Sequence, residues 1–320
     1  MNTTDTTNTT GTVNARVRRA IARWGDVSVK VFAAGVLALV LFDIPFWWYW
    51  IFLAVLALSF VRPAWDRERE PVPVAAPVVG RWLALNSPGT KVPAHGSRGY
   101  GQTYAIDILV PHVVEAAQGP HPKPRYGWGL PRRAEDYPCF GEHVLAVAEG
   151  VVVAAGGGQR DHRARDTWPG LVYMAIEGFF RQVGGWRFVF GNHVIIDHGD
   201  GVYSAYAHLR RNSLKVGVGD RVSAAHPLGE VGNSGNTSEP HLHFQLMDSP
   251  HPPAASGLPF SWTTTVLEPA LVAPQYGLPS PTPPPTPGSP PNSHMFTARP
   301  LATPLAPLGP ASSSPGVQVP

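Results

Sequence analysis

The sequence predicts a mainly β protein: an antiparallel β-sheet or β-sandwich domain, preceded by a transmembrane hydrophobic hairpin and followed by a disordered Pro-rich tail. Three observations carry that expectation. Between residues 82 and 247 the chain runs as short apolar stretches broken by Gly, Asp and Asn, the pattern of strands and tight turns. Its 320 residues include 33 Gly and 36 Pro, which disfavour long helices. Residues 27–61, by contrast, form an almost unbroken apolar block. The formal charge is only +3, and no Lys/Arg cluster interleaves with aromatics, so no nucleic-acid surface is indicated. Cys139 is the single cysteine, which excludes an internal disulfide and any Cys-rich zinc module. Oligomeric state is not readable.

Residues 1–25 are Thr/Asn-rich, then basic at Arg16, Arg18, Arg19 and Arg23, and are expected to be disordered. Residues 26–62 form the membrane region, and the chain is expected to be membrane-embedded through 27–61. The block is too long for a secretory apolar core and lacks a small-residue cleavage site, so it reads as retained. Asp43-Ile-Pro45 divides it into 29–42 and 46–61, each roughly 21–24 Å of helix against a ~30 Å hydrocarbon core. Trp47, Trp48, Tyr49 and Trp50 suit an interfacial aromatic belt. Two short helices joined at Pro45 fit best, with one tilted span as the alternative. Basic residues flank both ends, so a hairpin would leave everything downstream in the cytoplasm, whereas a single span would place it outside.

Residues 63–81, with Pro71-Val-Pro-Val-Ala-Ala-Pro, read as a linker. The β domain is expected over 82–249. Residues 143–148 and 151–155 read as one hairpin, and 192–198 with 202–208 as another around a Gly-Asp-Gly turn. Residues 112–138 and 156–185 read as long loops. From 250 to 320 the chain is Pro/Ser/Thr/Ala-rich, and Pro281-Thr-Pro-Pro-Pro-Thr-Pro reads as polyproline II or disordered.

The chemistry centres on Pro240-His-Leu-His-Phe-Gln. Side chains at i and i+2 leave a strand on one face, so His241 and His243 share a space, about 6–7 Å apart at the backbone. Leu242 and Phe244 go to the core side. A hydrolytic zinc site needs about three protein ligands and one open position. Candidates lie on three segments: His95 and Asp107, then His208, then His241 and His243. Asp107 stands in the apolar run Tyr104-Ala-Ile-Asp-Ile-Leu, where an unpaired carboxylate would be costly to bury; a metal, an arginine or an edge position would each resolve that cost. His193 reads as exposed or as supporting a ligand, and His198 as structural. His112-Val-Val-Glu115 fits H-x-x-E only weakly, and neither H-E-x-x-H nor G-x-S-x-G occurs.

Several of these stretches together resemble the M23 (lysostaphin/LytM-type) zinc metallopeptidases of bacterial cell walls. Gly141-Glu-His-Val-Leu-Ala-Val-Ala-Glu-Gly-Val-Val, then Asn192 through Leu209 with its Tyr206-Ala-His-Leu, then Leu228-Gly-Glu-Val-Gly-Asn-Ser-Gly-Asn-Thr-Ser, then Pro240-His-Leu-His-Phe-Gln follow in the family's order. The resemblance covers about 93–245. It implies zinc (Zn2+) as cofactor, Asp107 and His243 as ligands, and His208 and His241 as catalytic histidines. The family's usual H-x-x-x-D opening would put a histidine where Thr103 stands. His95, twelve residues before Asp107 in a Gly-rich segment able to loop back, is assigned as the remaining ligand. The implied activity is endopeptidase action on peptidoglycan peptides, at the cell membrane with the catalytic domain outside it. A non-catalytic M23-fold regulatory or cell-wall-binding module is the alternative. A membrane scaffold recruiting partners through its tail is a further one, which leaves the histidines unexplained.

Overall fold

The structure, a computed structural model, describes residues 5–110, 128–268, 286–302 and 308. Three helices lead: α1 (Asp5–Ala22), α2 (Gly25–Leu41) and α3 (Trp48–Leu58). Strands β1 (Val72–Val74), β2 (Gly80–Leu85) and β3 (Ile106–Leu109) follow, then β4 (His143–Leu145) and β5 (Gly150–Gly156). Helices α4 (Trp168–Gly184) and α5 (Trp186–Phe190) precede β6 (Asn192–Asp197), β7 (Tyr203–Leu209), β8 (Arg221–Val222), β9 (Pro227–Glu230) and β10 (Leu242–Met247). The chain closes with β11 (Gly257–Leu258), β12 (Phe260–Trp262), β13 (Thr265–Leu267) and β14 (Met295–Ala298).

The main sheet runs β13-β14-β2-β3-β10-β7-β6-β5-β8, with β11 also paired to β10; every pairing in it is antiparallel. The expected mainly β, antiparallel architecture is therefore present. Strand β10 lies between β3 and β7, and its alternation is the one the sequence implies. Leu242, Phe244 and Leu246 are fully buried in the main core with Ile106, Ile108, Tyr206 and Phe260. His243 and Gln245 take the opposite face.

The hairpin expected over 192–208 forms as β6 and β7. The one expected over 143–155 does not: β4 pairs with β9 in a separate two-stranded sheet, while β5 pairs with β6 and β8. Val144, Ala146, Val147 and Ala148 are buried, and long-range partners satisfy them in place of their sequence neighbours. The expected loop over 156–185 instead holds α4. Its start is marked by Thr167, whose hydroxyl accepts from the Gly170 amide at 3.2 Å, by Pro169 in the first turn, and its end by Gly185 at φ +103°.

Three segments expected to be unstructured are ordered. Residues 5–22 of the N-terminal segment form α1, held by the Arg19–Asp248 ion pair and an Arg18 Nε–H bond to the Arg62 carbonyl at 3.0 Å. In the expected linker, β1 pairs in parallel with β12, and Val74 and Val78 are buried. The expected Pro-rich tail supplies β11 to β14, because its few large apolar residues, Phe260, Trp262 and Phe296, are core residues whose rings pack against one another and against Phe244. Residues 281–285 of the polyproline stretch, and His112, lie outside the described residues.

The apolar block forms two helices broken at Asp43-Ile-Pro45, as expected. Gly35 of α2 meets Phe52 of α3 so closely that a β-carbon there would lie 2.5 Å from the ring. Among the described residues no single helix is long and apolar enough to cross a membrane. One bent pair, Val13–Ala22 with Gly25–Leu41 at 47°, meets the length and composition requirement together. The hairpin is keyed to the β domain through Asp26, which accepts from the Tyr100 hydroxyl and from the Trp186 amide, both at 2.8 Å.

Candidate metal centre

Pairing of β3 with β10 sets Asp107 directly opposite His243. His243 Nδ1 lies 2.9 Å from Asp107 Oδ1, and His95 Nε2 lies 3.0 Å from Asp107 Oδ2. The loop-back that brings His95 here is a physical one: the Ala94 amide donates to the Thr103 carbonyl at 2.9 Å, and the turn between them uses Gly96 and Gly101 at positive φ. Tyr100 also adopts a positive φ, of 56°. One donor atom from each of His95, Asp107 and His243 lies within 4.8 Å of the others. His95 Nδ1 is buried without a hydrogen-bond partner among the described residues.

The tautomers follow from what each ring nitrogen touches. Gln245 Nε2 donates to the Tyr100 carbonyl at 2.8 Å, so Gln245 Oε1 faces His243 Nε2 at 3.0 Å and that nitrogen carries the proton. A neutral His243 then presents its Nδ1 lone pair to the centre, the orientation a metal ligand needs. Asn86 Nδ2 donates to Asp107 Oδ2 at 2.8 Å, fixing the carboxylate plane. Asn86 follows β2 at φ 46°, a left-handed conformation that Asn tolerates.

His208 and His241 stand beside this group, their ring centroids 4.9 Å apart. His208 is placed by a bulge in β7: its φ of 64° takes it out of strand geometry and turns the ring inward. Its Nδ1–H donates to the Ser234 carbonyl at 2.9 Å, and His241 Nδ1–H donates to the Glu239 carbonyl at 2.8 Å. Both neutral rings therefore carry their lone pair on Nε2. His241 Nε2 lies 3.5 Å from Asp107 Oδ1.

Electrostatics separates the same two sets. Burial would raise the Asp107 carboxyl, but the charges of His95 and His241 and the bonds to His243 and His95 hold it well below the usual carboxylate range. Burial opposes charge on His243 too, and is outweighed by Asp107, so its pKa is raised. Burial, then repulsion from neighbouring histidines, drives His208 well below the ordinary imidazole value. Burial likewise lowers His241, with Asp107 pulling the other way.

The family model for Peptidase family M23 matches residues 132–253. The chain carries an M23 peptidase domain. The matched segment contains His208, His241 and His243, and begins after His95 and Asp107. The chain is 36% identical over 99 residues to the cell division protein DipM of Caulobacter vibrioides, covering 30% of this chain and 16% of DipM. It is 39% identical over 57 residues to the peptidoglycan DD-endopeptidase ShyA of Vibrio cholerae, covering 18% of this chain and 13% of ShyA. It thus spans less than a fifth of either curated relative. The solved structure of the antimicrobial peptidase lysostaphin from Staphylococcus simulans matches at 21% identity over 53% of this chain and 48% of that one. Its TM-score of 0.28 is too low to add to the family match.

The remaining histidines of the M23 domain fall outside the cluster. His193 is buried against Trp186, with ring centroids 4.9 Å apart, and bonds the Gly191 carbonyl at 2.8 Å; it packs, where an exposed or supporting role was expected. His198 ties the Glu149 carbonyl to the Ser204 hydroxyl, a structural role as expected. Asn86 and Gln245 are the partners that sequence reasoning missed. Gln245 had a signal, standing two residues after His243 on the same strand face; Asn86 had none.

Proposed function

We propose that this chain is a zinc-dependent metalloendopeptidase that hydrolyses peptide bonds of bacterial peptidoglycan, tethered to the cell membrane with its β domain outside. The observation that supports it most is the convergence of half-buried His95 with buried Asp107 and His243 beside two imidazoles held neutral. Two imidazole nitrogens and a carboxylate are a donor set suited to zinc, and three ligands leave a position open for substrate. His95, Asp107 and His243 would hold the ion, with Gln245 and Asn86 orienting two of them. Zinc, when bound, supplies a Lewis acid that polarises a carbonyl and acidifies a water.

The protein's own groups do the rest. His208 and His241 each offer an Nε2 lone pair beside the ligand set, so one accepts the proton from the attacking water. The other, charged by a proton taken from bulk solvent, donates from Nε2 to the oxyanion that develops on the scissile carbonyl. Protonated imidazole is also the acid available to the leaving amine. The similarity to ShyA, a peptidoglycan DD-endopeptidase, suggests the substrate class, and the apolar hairpin supplies the tether. Peptidoglycan lies outside the membrane, which favours placing the β domain there even though the basic flanks of the hairpin point to the cytoplasmic side.

The test is zinc content of the purified full chain in detergent, followed by digestion of purified peptidoglycan with identification of the released peptides. Stoichiometric zinc with new amino and carboxyl termini is expected. Zinc binding without any cleavage would favour the non-catalytic cell-wall-binding module, and absence of zinc would sink the metallopeptidase reading.

A further inference from the structure

Helix α4 is amphipathic in the reverse sense of a helix on a water-facing surface. Its polar side chains turn toward the protein. Glu177 pairs with Arg165 and Arg181, Arg181 donates to the Phe188 carbonyl, and Gln182 bonds the Tyr100 hydroxyl. Its large apolar side chains turn outward. Trp168, Val172, Tyr173, Ile176, Phe179 and Phe180 are each more than half exposed. They recur at i, i+4, i+8 and i+12 with two neighbours, a single stripe along about 18 Å of helix. Water would oppose this arrangement, so the stripe faces something apolar.

The stripe continues onto the leading helices. Phe179 and Val183 share with Val29, Phe32 and Ala33 of α2 the wall of a crevice of about 390 Å³. Beyond it the outer surfaces of α2 and α3 are apolar, with Leu37, Val40, Leu41, Trp50 and Ile51 exposed, and α3 has no buried residue. A protein partner would bury a bounded patch, whereas this surface runs from the β domain onto helices already expected in lipid.

We infer that α4 is a membrane-docking helix, its apolar stripe lying in the lipid boundary beside the α2–α3 hairpin. It thereby fixes the orientation of the catalytic domain on the bilayer surface. This inference rests on the membrane tether proposed above. Ser59 at the end of α3 and Ser97, Gly99 and Tyr100 of the site segment line this same crevice, so docking by α4 would hold the β domain close to the bilayer.

The test uses the full chain reconstituted in phosphatidylglycerol–phosphatidylethanolamine vesicles. In a Cys139→Ser background, Ile176→Cys, Phe180→Cys and Val40→Cys variants each carry a single environment-sensitive fluorophore. Cys139 is buried and its thiol donates to the Pro240 carbonyl, a bond that serine reproduces. Unchanged zinc content reports folding of each variant. Labels at 176 and 180 are expected to be quenched at least several-fold more by acyl-chain nitroxide lipids than by aqueous iodide. Lipid quenching at 40 with iodide quenching at 176 and 180 would overturn docking and leave the tether standing. Lack of lipid quenching at all three positions would overturn both. Shielding of 176 and 180 from both quenchers would also overturn the inference, since the stripe would then be covered by another copy of the chain.

Discussion

On one side of the site, His243 Nδ1 faces the Asp107 carboxylate at 2.9 Å; on the other, His208 Nδ1 donates to the Ser234 carbonyl at the same distance. Both rings are buried, and burial opposes charge on both. The carboxylate outweighs that effect for His243 and raises its pKa, whereas for His208 burial and repulsion from His241 and His243 outweigh the more distant Asp107 and the Ser234 carbonyl, and its pKa is driven down. Identical side chains, 5.7 Å apart by ring centroid, are thus prepared for different work by what their Nδ1 atoms meet. Under the proposed function, His243 would give its Nδ1 lone pair to a cation and His208 would keep its Nε2 lone pair for a proton.

The sharpest way to break this contrast is to remove a ring from each half. His243→Ala and His95→Ala leave only two protein donors, so zinc and hydrolysis should vanish together, a rate loss of at least about 10⁴-fold. Metal analysis alongside a peptidoglycan digest checks this, with His143→Ala, exposed on β4, expected to keep its zinc. His208→Ala and His241→Ala should retain near-stoichiometric zinc while the rate falls by about 10²–10⁴. A double mutant much less than additive would place both rings on one transition state. Zinc loss from His208→Ala would dissolve the distinction between the halves.

Smaller changes sharpen it. Gln245→Ala and Asn86→Ala remove groups that orient ligands without supplying any, and should weaken zinc about 10–100-fold, read by chelator competition. Rescue of Gln245→Ala by Gln245→Glu, which restores an acceptor opposite His243 Nε2, would separate orientation from packing. The smallest effect is on pH. His208 and His241 have folded-state pKa values below 6.5, so their lone pairs stay available as the medium acidifies past that value. The acid limb of kcat/KM should therefore lie below pH 6.5. An acid limb at or above 6.5 would mean that the base is a group outside this lowered pair.

The legible parts of the molecule are those governed by local periodicity. The i, i+2 spacing of His241 and His243, and the buried Leu242, Phe244 and Leu246 between and beyond them, fixed both faces of β10 from pattern alone. Hairpin β6–β7 was equally readable, because its turn lies between its strands. Strand β4 was not: its partner β9 is more than eighty residues away, and nearby β5 offered a plausible local mate. Helix α4 was hidden because its polar residues are spent on internal ion pairs and its apolar ones face out, inverting the pattern by which surface helices are recognised. Composition misled at the C-terminal end, where abundant proline outweighed the few aromatics that enter the core. Within the site, His208 looked like the end of a regular strand, and only its positive φ shows how the ring reaches the centre.

The central claim concerns which residues hold the ion, and one measurement addresses it without reference to activity. Crystals of the full chain prepared without chelator would be measured on both sides of the zinc absorption edge, to locate the metal by anomalous difference. The account requires one strong peak, about 2.0–2.2 Å from a nitrogen of His95, a nitrogen of His243 and a carboxylate oxygen of Asp107, with His208 and His241 outside bonding distance. A peak bonded to His208, or one lacking His95, would contradict it.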